Sequence, residues 1–193
     1  MKKLFLLLVS LVFVITAEAQ NRYINVSFMG NDMKQADFQD LKSNYGASFT
    51  TGRTYRLLGN HLRLGLDVSW LDLNYTNYKI KHITNESTDT YFYHQGEIAM
   101  QIGPSLTFIP TYGTRVSAYY RYSPAFSCLY DNVDVYGNYA SLFVTGGSIS
   151  FGAIGLGAEY RYGNCNYKNF TSSASSQKAV NLSGWKAYIT FRF

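Results

Sequence analysis

The chain has 193 residues, a one-domain length, which argues against a multidomain enzyme. Charged residues make up 15% of it and aromatics 17%, led by 18 Tyr and 13 Phe, too aromatic a composition for a disordered chain. The net charge of +5 comes from singly scattered cations, with no basic stripe for a nucleic-acid backbone, so no nucleic-acid partner is expected. Residues 1–19 read as a secretory signal peptide: Lys2 and Lys3, an apolar run from Leu4 to Ile15, then Ala17-Glu18-Ala19 before Gln20. That run falls short of the ~20 residues a membrane-crossing helix needs, and no Cys follows to accept a lipid.

The remaining domain, residues 20–193, alternates in hydropathy and shows no convincing helical period. The pattern predicts strands at 21–29, 43–52, 60–75, 94–108, 113–124, 138–150, 152–163 and 181–193, the first being the weakest signal. In the third, Leu62, Leu64, Leu66, Val68 and Trp70 share one parity while Arg63, Gly65, Asp67 and Ser69 share the other. The same division recurs at 97–102, 116–122, 154–162 and 185–193. Connections alternate in length: short near 52–59, 109–113 and 150–152, long and polar near 30–42, 76–93, 124–137 and 164–180. Eight strands with short turns at one rim and long loops at the other predict an all-β fold, an antiparallel up-and-down transmembrane β-barrel.

A soluble lipocalin-like barrel is also eight-stranded and secreted, so the orientation of the oily face decides between them. An eight-stranded interior is only just wide enough for side chains, and the set rich in Gly, Ser, Ala and Thr fits there better than the bulky set. This places Arg63, Asp67, Glu97, Arg121, Glu159, Arg161 and Lys186 in the lumen and the Leu, Ile, Tyr and Trp set toward lipid. Isolated charges would be costly inside, so Asp67, Arg121, Glu159 and Lys186 are expected to form a mid-barrel ion-pair network. Tyr120, Tyr122, Tyr160, Tyr162, Trp70, Tyr75, Phe191 and Phe193 are expected to form aromatic girdles near strand ends.

The chain ends on Phe193, with Ile189 and Phe191 at alternate positions before it. This terminus resembles the C-terminal signal read by the outer-membrane barrel-assembly machinery. With the leader and the eight strands, the chain resembles the small OmpA/OmpX-type outer-membrane barrels and, more loosely, the PorT-like outer membrane protein β-barrel family. The resemblance implies residence in the outer membrane of a Gram-negative bacterium, with loops outside and both termini in the periplasm. It implies outer-membrane lipid and the assembly machinery as partners, a monomer, and an envelope protein partner met through the outer loops. The PorT-like likeness keeps open a role as an accessory subunit of a secretion or assembly complex.

Eight-stranded outer-membrane enzymes that deacylate or acylate lipid A share this architecture, and a deacylase-type site needs a His activating a Ser at strand spacing. The three histidines, His61, His82 and His94, form no such pair; His82 and Thr84 lie two apart in an expected loop. Lipid modification stays as the alternative to a non-enzymatic structural or surface-interaction barrel. No cofactor is expected, and His without Cys or carboxylate at ligand spacing predicts no metal site. Cys128 and Cys165 are placed in the third and fourth long loops, leaving two alternatives open, a loop-to-loop disulfide or two free thiols.

Overall fold

The computed structural model describes residues 21–35, 40–83, 88–111, 113–171 and 177–193, so the expected leader and Thr84 lie outside it. Eight strands follow in chain order: β1 (Asn21–Gln35), β2 (Leu41–Leu58), β3 (Leu62–Ile83), β4 (Thr88–Phe108), β5 (Thr114–Tyr130), β6 (Val135–Phe151), β7 (Ile154–Asn169) and β8 (Gln177–Arg192). Each pairs antiparallel with its sequence neighbours, and β1 pairs with β8 from Tyr23↔Arg192 to Gln35↔Val180, closing the barrel. Closure leaves no strand edge around the wall. The two ends of the chain clasp each other: the Arg22 and Phe193 amides each donate to the other's carbonyl at 3.0 Å.

Three tight turns lie at the same rim as these ends, and Gly59, Gly113 and Gly152 each take a positive φ there. At the opposite rim the strands outrun the predicted boundaries. β3 continues to Ile83 and β4 begins at Thr88, so most of the expected 76–93 loop is strand. The expected 124–137 loop reduces to a four-residue turn, 131–134. Its Asp131 carboxylate accepts from the Val133 and Asp134 amides at 3.1 and 2.7 Å, and Asn132 takes a φ of 72°. These extensions carry Asn, Thr, Lys and Tyr on both faces. Hydropathy alternation therefore vanishes although the backbone ladder continues.

Alternation in burial divides the wall cleanly. On β5, for example, Ser117, Tyr119, Arg121, Ser123, Ala125 and Ser127 point inward while Val116, Tyr120 and Phe126 are exposed. The large exposed side chains on the wall are mainly Leu, Ile, Phe, Tyr and Trp, whereas the lumen holds most of the buried charge. On β3 the pattern changes parity: Asp67 and Ser69 are buried, and then Asp72, Asn74 and Thr76. Register shifts against both neighbours between Ser69 and Asp72 mark a β-bulge, which inserts a residue and turns the following side chains to the other face.

Candidate functional site: the sealed lumen and its two ends

The lumen is filled by side chains that meet in layers, as the width of an eight-stranded barrel requires. Nearest the short-turn rim, Tyr23 donates to Asp67 Oδ1 at 2.6 Å and Thr54 to Asp67 Oδ2 at 3.0 Å. Arg121 Nη2 lies 3.3 Å from Asp67 Oδ2, and Nη1 donates to Gln101 Oε1 at 2.8 Å. The Arg121 guanidinium also covers the Tyr119 ring, 3.5 Å from its centroid. Tyr119 carries the network onward by donating to Glu159 Oε2 at 2.9 Å.

Lys186 occupies the middle of the lumen with 1% of its surface exposed. Its Nζ stands 3.2 Å from Glu159 Oε1 and donates to both oxygens of Asp72 at 3.0 Å. Thr50, Asn74 and Gln101 supply further donors to Asp72 at 2.7, 3.1 and 2.8 Å. Asp67, Arg121, Glu159 and Lys186 are thus brought into one connected cluster, with Asp72 as a fifth member. The sequence pattern places Asp72 on the lipid face with Trp70, and only the bulge after Ser69 brings it inside. No feature of hydropathy signals that extra residue.

Above this cluster, Arg161 Nη2 approaches Glu97 Oε2 to 2.5 Å, a contact of charges without hydrogen-bond alignment. Gln95 binds the other Glu97 oxygen at 2.8 Å and accepts from Tyr78 at 2.6 Å, while Ser127 meets Tyr167 at 2.7 Å. Beyond them the interior ceases to be polar. Met33, Tyr78, Tyr136, Leu142, Tyr167, Val180 and Leu182 form a buried apolar cluster between the ion pairs and the far rim. The expected packed polar lumen therefore becomes apolar toward the far rim. Where the strands extend past the bilayer band, the inner face must build an ordinary core, so the bulky set turns inward there.

The cysteines stand in strands β5 and β7 rather than in loops, and both are free. Cys165 is buried in the inner cluster, whereas Cys128 has the outward parity of β5 and lines an exterior notch with Phe49, Leu73, Ile98 and Phe126. The wall separates them, so of the two alternatives the structure has the free thiols. Of the histidines, His61 is exposed beside the β2–β3 turn, and His94 lies on the outer face with Tyr75 Oη 2.7 Å from its Nδ1. His82 lies on β3 and pairs with Asp89 in the ladder. No group of three potential metal ligands occurs among the described residues.

On the outer wall, Tyr120, Phe143, Tyr162 and Tyr160 stack in sequence at centroid distances of 5.8, 6.0 and 6.2 Å, and Tyr120 and Tyr162 share a 3.1 Å hydrogen bond. This row crosses β5, β6 and β7 in mid-strand, not at strand ends. An apolar band ~25 Å tall, crossed by strands tilted ~40°, takes only about ten residues per strand, which from Thr114 ends near the tyrosines. Ile189, Phe191 and Phe193 are exposed on the outer face near the opposite rim.

No family model matches the sequence, and no curated protein is similar to it. Solved structures are similar in fold. Neisserial surface protein A is 17% identical, with the match covering 91% of this chain and all of that one at a TM-score of 0.53. The outer membrane protease OmpT of Escherichia coli is 9% identical over 92% of this chain and 98% of that one, at 0.52. The chain therefore has the outer-membrane β-barrel fold. The PorT-like label has no support from these comparisons.

Proposed function

We propose that this chain spans the outer membrane of a Gram-negative bacterium as a closed, non-enzymatic barrel and acts at the cell surface through a projecting strand pair. The apolar wall, the tyrosine row and the sealed lumen support the membrane part of this reading. Short turns and chain ends at one rim support a periplasmic position for that rim. A closed ladder needs no second copy to satisfy its edges, which supports a monomer in outer-membrane lipid. Ile189, Phe191 and Phe193 are the residues through which the assembly machinery would recognise the last strand.

The observation that carries the surface role is the reach of the β3–β4 hairpin. Pairing of β2 with β3 stops at Ser43↔Tyr78 and pairing of β4 with β5 stops at His94↔Tyr130. The β3–β4 ladder continues to Ile83↔Thr88. Five further pairs at ~3.4 Å per residue make a two-stranded ribbon about 17 Å tall, neither edge of which pairs with another described strand. Lys79 lies over the Phe92 ring, 5.7 Å from its centroid, and the Asn132 side chain donates to the Phe92 carbonyl at 3.1 Å, propping the base. Tyr91 and Phe92 are exposed on it. Free edges and exposed rings together offer backbone pairing and apolar contact to an envelope or surface protein.

The test replaces residues 80–91 by an Asn-Gly turn and places a photoreactive side chain at position 91 in the full-length chain. The shortened barrel is expected to keep the mobility of the folded form in cold SDS, while intact cells bearing the full-length chain yield cross-linked adducts. Access to position 91 only after cell permeabilisation, or no adduct in intact cells, overturns the reading.

A further inference from the structure

The outer wall carries a notch across β2 to β5. Its floor is one ladder row in which Ala47, Tyr75, Gly96 and Cys128 are successive partners. The Tyr75 ring leans out of that row toward the far rim, 6.3 Å from Tyr45 and 6.1 Å from His94 between centroids, and His94 stacks on Tyr130 at 6.5 Å. An aromatic lintel thus lies on one side of the three small residues. On the short-turn side lies an exposed apolar sill that includes Leu73 and Ile98. The volume between them is about 670 Å³, within the ~300–1,000 Å³ of small-molecule sites.

Glycine weakens a strand interior and often marks a bend or a close approach by another group. Every other strand glycine answers to this chain, since a Cβ there would stand under 3.0 Å from a neighbouring atom; at Gly103 and Gly163 it would lie 2.0 and 2.1 Å from a backbone carbonyl oxygen. At Gly96 a Cβ would meet no heavy atom of the described chain within 4 Å, and φ is not positive there. The next small position in the same row shows what fills such a gap. Gly137 pairs with Cys128, and the Phe170 ring lies across it, 2.6 Å from where a Cβ would stand. The described chain lays an apolar group over Gly137 and none over Gly96.

We propose that the Gly96 notch seats one acyl chain of lipid A, the phosphorylated glycolipid of the outer leaflet. The inference rests on the membrane reading above, with the far rim outward. On that reading Ile98, about ten residues from the end of β4 at Phe108, marks the edge of the apolar band, and Gly96 lies just beyond it. The sill is continuous with the lipid-facing wall, so hydrocarbon is the medium that reaches the notch. A row across strands tilted ~40° is itself inclined to the membrane plane, and three interstrand steps of ~4.8 Å make a slanting seat about 14 Å long. A methylene chain can lie along it from end to end. The lintel would face the head of the same lipid. The Asn77 amide nitrogen can only donate, and it lies 3.5 Å from His94 Nδ1, 2.7 Å from which stands the Tyr75 hydroxyl. Nδ1 is therefore an acceptor, which leaves Nε2 as the protonated nitrogen of a neutral ring and a donor for a head-group oxygen. Lys79, exposed four residues beyond Tyr75 on the same parity, adds positive charge on the side where phosphate would lie.

The test uses the folded full-length barrel in a non-ionic detergent, titrated with purified lipid A and read by native mass spectrometry, with phosphatidylglycerol as the competing lipid. One retained lipid A per barrel is expected, in preference to phosphatidylglycerol, and it should slow maleimide labelling of Cys128. Gly96→Leu fills the notch without meeting the rest of the barrel and should weaken retention at least tenfold; Lys79→Gln should weaken it severalfold. Ala118→Leu, on the outer face nearer the short-turn rim, should leave it unchanged. Each variant is first shown to keep its cold-SDS mobility, and protection of Cys128 decides alone if Gly96→Leu does not fold. Equal retention in Gly96→Leu and wild type, no protection of Cys128, preferred retention of phosphatidylglycerol, or pairing of two barrels across this face overturns the proposal. A chain with no cold-SDS shift that fractionates as a soluble protein would sink the membrane reading itself, whereas a shift with no retained lipid sinks the notch alone.

Discussion

Replacing Lys186 by Met tests whether the lumen is held by charge balance or by packing alone. The ammonium touches both Asp72 oxygens at 3.0 Å and Glu159 Oε1 at 3.2 Å, and it is almost wholly buried. Met keeps most of the volume and removes the charge, so the loss is electrostatic. Stranding one buried partner of an ion pair costs about 3–5 kcal/mol, and two carboxylates are stranded here, so the upper end of that range is expected. Asp72→Asn alone should cost about 2–4 kcal/mol, because Thr50, Asn74 and Gln101 still bind its side chain while Lys186 keeps only Glu159. The double variant should cost less than the sum by about 2–3 kcal/mol, since each change removes the other's unpaired charge.

The assay is reversible urea unfolding of the detergent-folded barrel, followed by tryptophan fluorescence and by the fraction that keeps folded mobility in cold SDS. Single-variant costs below about 1 kcal/mol, additive in the double variant, would show that the pairs are solvated or replaceable and would refute the charge-balance argument.

Three further outcomes follow from the same geometry. In planar bilayers the wild-type barrel should pass no steady current, because the ion pairs and the apolar cluster of Tyr136, Leu142 and Leu182 close it in series; porin-sized conductance steps would contradict this. Gly103→Ala should destabilise the barrel by about 1–3 kcal/mol in the same urea assay, since a Cβ there would stand 2.0 Å from the Tyr120 carbonyl oxygen, a backbone atom with little room to move. A stability equal to wild type would show that the two strands can separate locally. Non-reducing gels should show the same mobility with and without reductant, and a maleimide should label Cys128 well before Cys165; labelling of both thiols at one rate would mean that the inner cluster opens readily.

The barrel itself was legible because lipid on one side and a narrow interior on the other impose a two-residue period on every strand. Leu62 through Trp70 and Trp185 through Phe193 display that period without interruption. Two features escaped it. Asp72 lies beyond a bulge, which shifts phase by one residue with no compositional mark. The outer halves of β3 and β4 stand clear of the apolar band, so Asn77 to Ile83 lose the alternation while keeping every backbone pair.

Those escapes share a physical origin and bear on function. Strand periodicity reports the solvent on either side of the wall, and it falls silent wherever the two sides become alike. Far from the short-turn rim, both faces of the β3–β4 ribbon stand clear of the apolar wall. In between, the described lumen is filled by buried side chains. The proposed surface role therefore rests on the ribbon, where no other described strand continues the backbone ladder. A variant lacking the ribbon should lose the surface contact while keeping the barrel unchanged, and loss of barrel stability in that variant would mean that the ribbon serves the fold instead.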